Sequence, residues 1–103
     1  MLESVFQADT VNRIKKLLPG VRVLKNDSGY QQGIPDFSIF LGSAWAWLEF
    51  KRSANERQQP NQEFFIDWAS QNAFGAFIYP ENRDEVLKAL VSYFDSRDYG
   101  KIW

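Results

Sequence analysis

Apolar side chains recur every three to four residues in three stretches of this chain and every second residue in the stretches between them. These two periods lay out its elements. Phe6, Thr10, Ile14 and Leu17 share one stripe, which predicts an amphipathic helix over Leu2–Leu18 that Pro19-Gly20 stops. Val21 and Val23 fall on one side of a short strand reaching Lys25, and the polar run Asn26–Gln32, with Gly29 inside it, reads as a loop. Over Asp36–Leu41, Phe37, Ile39 and Leu41 alternate with Asp36, Ser38 and Phe40. A tight turn at Gly42-Ser43 then leads into Trp45–Lys51. There Ala46, Leu48 and Phe50 face one way, and Trp45, Trp47, Glu49 and Lys51 the other.

Arg52–Gln59 is a charged, amide-rich connector, expected to be mobile, and Pro60 suits the first turn of a helix. That helix runs to about Ala73 and ends near Gly75, with Gln62, Ile66, Ala69 and Ala73 on one face. Ala76–Tyr79 reads as a short buried strand closed by Pro80. Asn82, with Glu85 three residues on, marks a helix start with Asn82 as its cap. Val86, Leu87, Leu90, Val91 and Phe94 carry that helix to Phe94 or Asp95, and residues 96–103 form a tail or interface segment. The order is helix, strand, strand, strand, helix, strand, helix (αβββαβα). This is a small α/β domain with a mixed central sheet flanked by helices. The hairpin is antiparallel, and the strand–helix–strand unit from Trp45 to Tyr79 is expected to be parallel and right-handed. No repeat or linker interrupts residues 1–103, so a single domain is expected.

Composition narrows the chemistry. At 103 residues, 45% hydrophobic and 17% aromatic, the chain can build a packed core. It contains neither cysteine nor histidine, which excludes thiol catalysis, disulfides, cysteine-ligated zinc, Ser-His-Asp hydrolysis and histidine-based nucleases. Carboxylates, lysine and tyrosine remain. A net charge of −1 is a poor basis for gripping nucleic acid by bulk electrostatics, although a metal site gathers acids that bound cations then offset. No run is apolar and long enough to span a membrane and no signal-peptide pattern opens the chain. The expected location is the cytoplasm, that of a host cell if the source is a phage or mobile element.

The chemistry gathers at the hairpin. Asp36 enters it after Gly33-Ile34-Pro35, and Glu49-Phe50-Lys51 leaves it. Glu49 and Lys51, two apart on one strand, project from the same face near Asp36. Two carboxylates hold a hard divalent cation through oxygen, and a lysine beside them orients a water or steadies charge on a phosphate. The plain alternative is a surface strand with solvated Glu and Lys. Against it, the two charges end an otherwise apolar run, where burial is costly unless they are paired or metal-bound. Gln62, at the start of the following helix, serves either as a structural hydrogen-bonder or as a site residue. Ser28, Tyr30 and Gln32 in the polar loop are candidates for contacting a substrate backbone.

Gly-Ile-Pro-Asp36 followed by Glu49-Phe50-Lys51 resembles the PD-(D/E)xK nuclease signature. Arg57-Gln58-Gln59-Pro60-Asn61-Gln62 resembles the glutamine motif of its VRR-NUC branch, whose near relatives include archaeal and phage Holliday-junction resolvases. The resemblance covers most of the chain. It implies a Mg²⁺-dependent DNA endonuclease, with Mn²⁺ substituting and no small-molecule cofactor. Asp36, Glu49 and the Phe50 carbonyl would bind the metal. Lys51 would act on the water or the developing charge, and Gln62 would hold the water or a phosphate oxygen. Glu3, on the same stripe as Phe6 and Thr10, is either a first-turn acid favoured by the helix dipole or a third metal carboxylate like the one resolvases carry on their first helix. The implied substrate is branched or four-way-junction DNA cut by a homodimer. Lys15, Lys16, Arg52 and Arg57 would line the DNA path. Tyr99, Ile102 and Trp103, with the two tryptophans of the site strand, would supply the dimer contact. Two rivals stand beside this reading. A sequence-specific or homing-type endonuclease lacks any visible base-reading helix here, and a non-catalytic nucleic-acid-binding module is opposed by the intact Asp36, Glu49 and Lys51.

Overall fold

A computed structural model describes residues 2–96. Its elements are α1 (Glu3–Leu17), β1 (Arg22–Lys25), β2 (Phe37–Leu41), β3 (Ala44–Phe50), α2 (Pro60–Asn72), β4 (Phe74–Ile78) and α3 (Arg83–Ser96). The four strands form one sheet in the order β1-β2-β3-β4. β1 pairs with β2 and β2 with β3 antiparallel, whereas β3 pairs with β4 parallel, as the strand–helix–strand connection requires. Leu41 pairs with Ala44, which leaves Gly42-Ser43 as a two-residue turn, and Gly42 takes the positive φ of 61° that such a turn needs at its first position.

The apolar core lies on one face of the sheet, because the inward residues of β2 and β3 meet two helices there. Phe6 and Ile14 of α1 and Leu87, Leu90 and Phe94 of α3 close over Phe37, Ile39, Ala46, Leu48 and Phe50. Phe50 is edge-on to both Phe6 and Phe37, with ring centroids 5.7 and 5.4 Å apart. Arg83 locks the two helices together. Its Nη1 donates to Asp9 Oδ2 at 2.7 Å and to Thr10 Oγ1 at 3.3 Å while the guanidinium lies over the Phe6 ring. On the opposite face α2 covers the outward residues of β3, where Phe65 and Trp68 meet Trp47, and Trp68 meets Trp45.

Several expectations are corrected. Leu17 is half exposed and Leu18 buried instead, because the stripe 6, 10, 14 continues at a spacing of four to 18. The last strand begins at Phe74, before Ala76, and all but Ile78 of it is only half-buried, as befits an edge. Gly75 is therefore a strand residue rather than a helix stop: a Cβ there would lie 2.6 Å from the Ile66 carbonyl oxygen and 2.7 Å from Ala69 Cβ, so its absence lets α2 settle on β4. Asn82 precedes α3 but does not cap it forward. Its side chain turns back, accepting from the Tyr79 amide and donating to the Phe77 carbonyl, and so pins the end of β4. Trp45 and Trp47, expected at an interface, are half-buried under α2. Ser96 belongs to α3, and Tyr99, Ile102 and Trp103 lie outside the described residues.

Candidate active site

Asp36 sits where the loop before β2 meets the end of β3. Asn26 builds that position: its amide donates to the Asp36 carbonyl at 2.8 Å, and its side chain donates to the Pro35 carbonyl at 2.8 Å and to Ser38 Oγ. Trp47 Nε1 donates to the same hydroxyl, tying the outward face of β3 to this corner. Main-chain amides then hold both carboxylates. The Phe50 amide donates to Asp36 Oδ2 at 2.7 Å, and the Asp36 amide donates to Glu49 Oε1 at 3.1 Å. The two carboxylates are thus fixed side by side by main-chain donors.

Gln62 completes the arrangement from the first turn of α2. Its Nε2 donates to Glu49 Oε2 at 2.8 Å, while its Oε1 accepts from Lys51 Nζ at 2.6 Å and from the Gln59 amide at 3.1 Å. Each end of the carboxamide meets the partner its polarity suits, so the side chain has one orientation. It spans the acid and the lysine of the Glu-x-Lys pair. Glu49 and Lys51 are only 5% and 3% exposed, which excludes the solvated-strand reading. Lys51 Nζ also faces Glu56 Oε2 at 3.6 Å, and Glu56 holds the connector by accepting from the Arg52 amide and Nε.

The electrostatics follow from this geometry. Burial, then repulsion from Asp36, pushes the Glu49 carboxyl up from its ordinary 4.5 to about 7; Lys51 opposes the shift without cancelling it. Burial also raises Asp36, against the Phe50 amide and the charges of Lys25 and Lys51, which favour its ionised form. Both carboxyls are thus displaced toward their protonated forms, the mark of a pair short of positive charge. Asp36 Oδ1 has no hydrogen-bond partner among the described residues. In a strand the N–H and C=O of one residue leave on the same edge, so the Phe50 carbonyl leaves toward Asp36, as its amide does. This all-oxygen donor set, short of charge, suits a hard divalent cation.

Glu3 stands at the margin. Its charge adds to the repulsion on Glu49, but Gln7 Nε2 donates to it at 3.3 Å along the helix. No three His, Cys, Asp or Glu side chains converge as a metal cage among the described residues. Ser28, Tyr30 and Gln32 lie exposed on the loop leading to Asp36, with Tyr30 92% exposed. Arg52 and Arg57 flank Glu56 on the connector beside Lys51. Lys15 and Lys16 are not brought near: they close the far end of α1, roughly 18 Å from Glu3 at the helical rise. Sequence reasoning missed Lys25, whose Nζ donates to Gln7 Oε1 and whose charge reaches Asp36. It also missed Glu56, which holds Lys51. A lone lysine at a strand end and an acid in a connector carry no pattern that marks them.

The architecture defines a class. No family model and no curated protein matches the sequence. Two solved structures match its fold. One, described as "VRR_NUC domain", superposes with a TM-score of 0.66 at 20% identity over 84% of this chain and 94% of its own. Another, "VRR_NUC domain protein", gives 0.68 at 17% identity over 92% and 89%. The chain has a VRR-NUC nuclease-like fold, as its sequence motifs imply. Among the described residues no helix is long and apolar enough to cross a membrane.

Proposed function

We propose that this chain is a divalent-metal-dependent endonuclease that hydrolyses phosphodiester bonds in DNA, with Mg²⁺ as the working ion and Mn²⁺ as a substitute. The observation that carries this reading is the interlock of Asp36, Glu49, Lys51 and Gln62, in which a half-buried and a buried carboxylate lie side by side, short of positive charge. The nuclease-type fold of its structural neighbours supports it. Asp36, Glu49 and the Phe50 carbonyl hold the ion. Once bound, the ion supplies Lewis acidity and a water of lowered pKa, which matters in a chain without histidine. Lys51 contributes a cation held still by Gln62, so it meets charge developing on the phosphate without reorganising. Gln62 keeps that ammonium in register with Glu49, and Lys25 adds a second positive charge that acts on Asp36.

Branched or four-way-junction DNA cut by a homodimer is the substrate and assembly we favour, acting in the cytoplasm. The motif resemblance supports this. So does the net charge of −1, which leaves one subunit a weak grip that two linked sites would reinforce. The test is cleavage of a four-way junction in Mg²⁺ beside the same arms as linear duplexes. Cutting of the junction that EDTA abolishes is expected. Absence of cleavage of every DNA offered, in both Mg²⁺ and Mn²⁺, removes the hydrolytic reading, and equal cutting of linear arms removes the junction preference.

A further inference from the structure

A cleft of ≈ 420 Å³ opens beside Gln62, between the loop that leads to β2 and the start of α2. Its walls are Gln32, Gly33, Gln59, Pro60, Asn61 and Gln62. The loop and helix are pressed together here. Gly33 has a φ of 85°, and a Cβ on it would stand 2.4 Å from Asn61 Cβ, so only glycine lets the loop close this wall. Four of the six lining residues carry carboxamides, and none carries a charge. Gln62 is shared with the site, since its amide is committed to Glu49 and Lys51. Gln62 thus forms a common wall between the cleft and the site. The side-chain amides of Gln32 and Asn61 have no hydrogen-bond partner among the described residues.

That lining discriminates among occupants. The walls bring no charged side chain to a phosphate, which would meet only amides at the start of α2. An aliphatic group would leave the amides unpaired. A flat group with donors and acceptors along one edge matches carboxamides, which present a donor and an acceptor side by side. The volume falls within the range of small-ligand sites. We propose that the cleft receives a single unpaired nucleobase next to the cleaved phosphate, read along its edge by Gln32 and Asn61. In a duplex that hydrogen-bonding edge is engaged by the opposite strand and the base is stacked, so the occupant comes from a branch, flap or gap. This rests on the nucleolytic reading of the same site and narrows its substrate, among branched DNAs, to those with an unpaired nucleotide at the cut rather than a fully paired four-way junction.

Affinity of the full chain is measured by fluorescence anisotropy, with Ca²⁺ replacing Mg²⁺, on three DNAs of equal length. One is fully paired, one carries a single unpaired adenine at a branch, and one carries an abasic nucleotide at that position. The unpaired adenine is expected to bind about tenfold more tightly than the abasic DNA, and the Gln32→Ala/Asn61→Ala variant to lose that margin. Both side chains are exposed, and an unaltered thermal midpoint certifies the variant's fold. Equal affinity for the three DNAs, including no binding to any, overturns the proposal, as does a margin that survives the double substitution. Binding is read without hydrolysis, so the two readings fail separately. The margin without cleavage in Mg²⁺ keeps the cleft and retires the nuclease, while cleavage without the margin does the reverse.

Discussion

Two clusters of charge are partly or wholly buried in this domain, and they are built on opposite principles. Between α1 and α3, Arg83 meets Asp9 at 2.7 Å, adds Thr10 as an acceptor and lies over Phe6. A cation faces an anion, and Asp9 keeps nearly half its side-chain surface in water. Between the end of β3 and α2, Asp36 and Glu49 lie side by side with Glu56 close by; Lys51 is the buried cation among them, with Lys25 and Arg52 acting from the exposed margin. Every buried side-chain donor and acceptor among the described residues finds a partner, so the second cluster is not a packing fault. Its fully buried polar atoms are satisfied while its charge is not. The first arrangement holds two helices together, whereas the second is costly to the fold, and on that cost the proposed metal role rests.

The comparison breaks most sharply at the carboxylates. Asp36→Asn or Glu49→Gln should abolish Mg²⁺-dependent cleavage while circular dichroism stays native, because each removes a metal-binding charge and keeps the shape. Full activity in either would show that the two clusters do not differ in kind. Lys51→Ala should come next, with a fall of about 10²–10³ in kcat measured at saturating DNA and little change in affinity, since its contribution grows as charge develops. Normal turnover at saturation would make the lysine a phosphate contact only.

Stability separates the clusters by pH. The Glu49 carboxyl titrates near 7 when folded and near 4.5 otherwise. Between those values the unfolded chain has released a proton that the native state retains, so metal-free stability should fall as pH rises through this window and level off above it. The loss is about 3 kcal/mol in urea unfolding. Glu49→Gln should flatten the curve, and Mg²⁺ at pH 8 should restore wild-type stability. A curve that stays sloped in the variant would place the strain elsewhere. At the other cluster, Arg83→Met should cost about 1–3 kcal/mol of stability, half-exposed Asp9 being partly rescued by water, and leave turnover per folded molecule unchanged. The smallest effect is expected at Glu3, whose replacement by Ala should shift the Mg²⁺ concentration for half-maximal rate only a few-fold, as expected of a group orienting the site from outside. A shift of orders of magnitude would make it a ligand.

The alternation in Asp36–Leu41 and Trp45–Lys51 determined by itself that Glu49 and Lys51 share a face, because the period of a strand leaves no other choice. The helical stripes likewise determined α1, α2 and α3 to within a few residues, and with them the order αβββαβα. What spacing cannot carry is the partner that another element brings. Gln62 was legible as a helix residue near the strand ends; that its amide bridges Glu49 and Lys51 depended on α2 settling onto β4 at Gly75, a contact set by the absence of a side chain. The same packing turned Trp45 and Trp47 from expected interface into cover beneath Trp68. Asn82 read as a forward cap and instead pins β4, since one side chain can satisfy either neighbour and only the chain's path selects between them. The elevated affinity of Glu49 for a proton is likewise tertiary: it comes from burial and from Asp36, brought alongside by the hairpin.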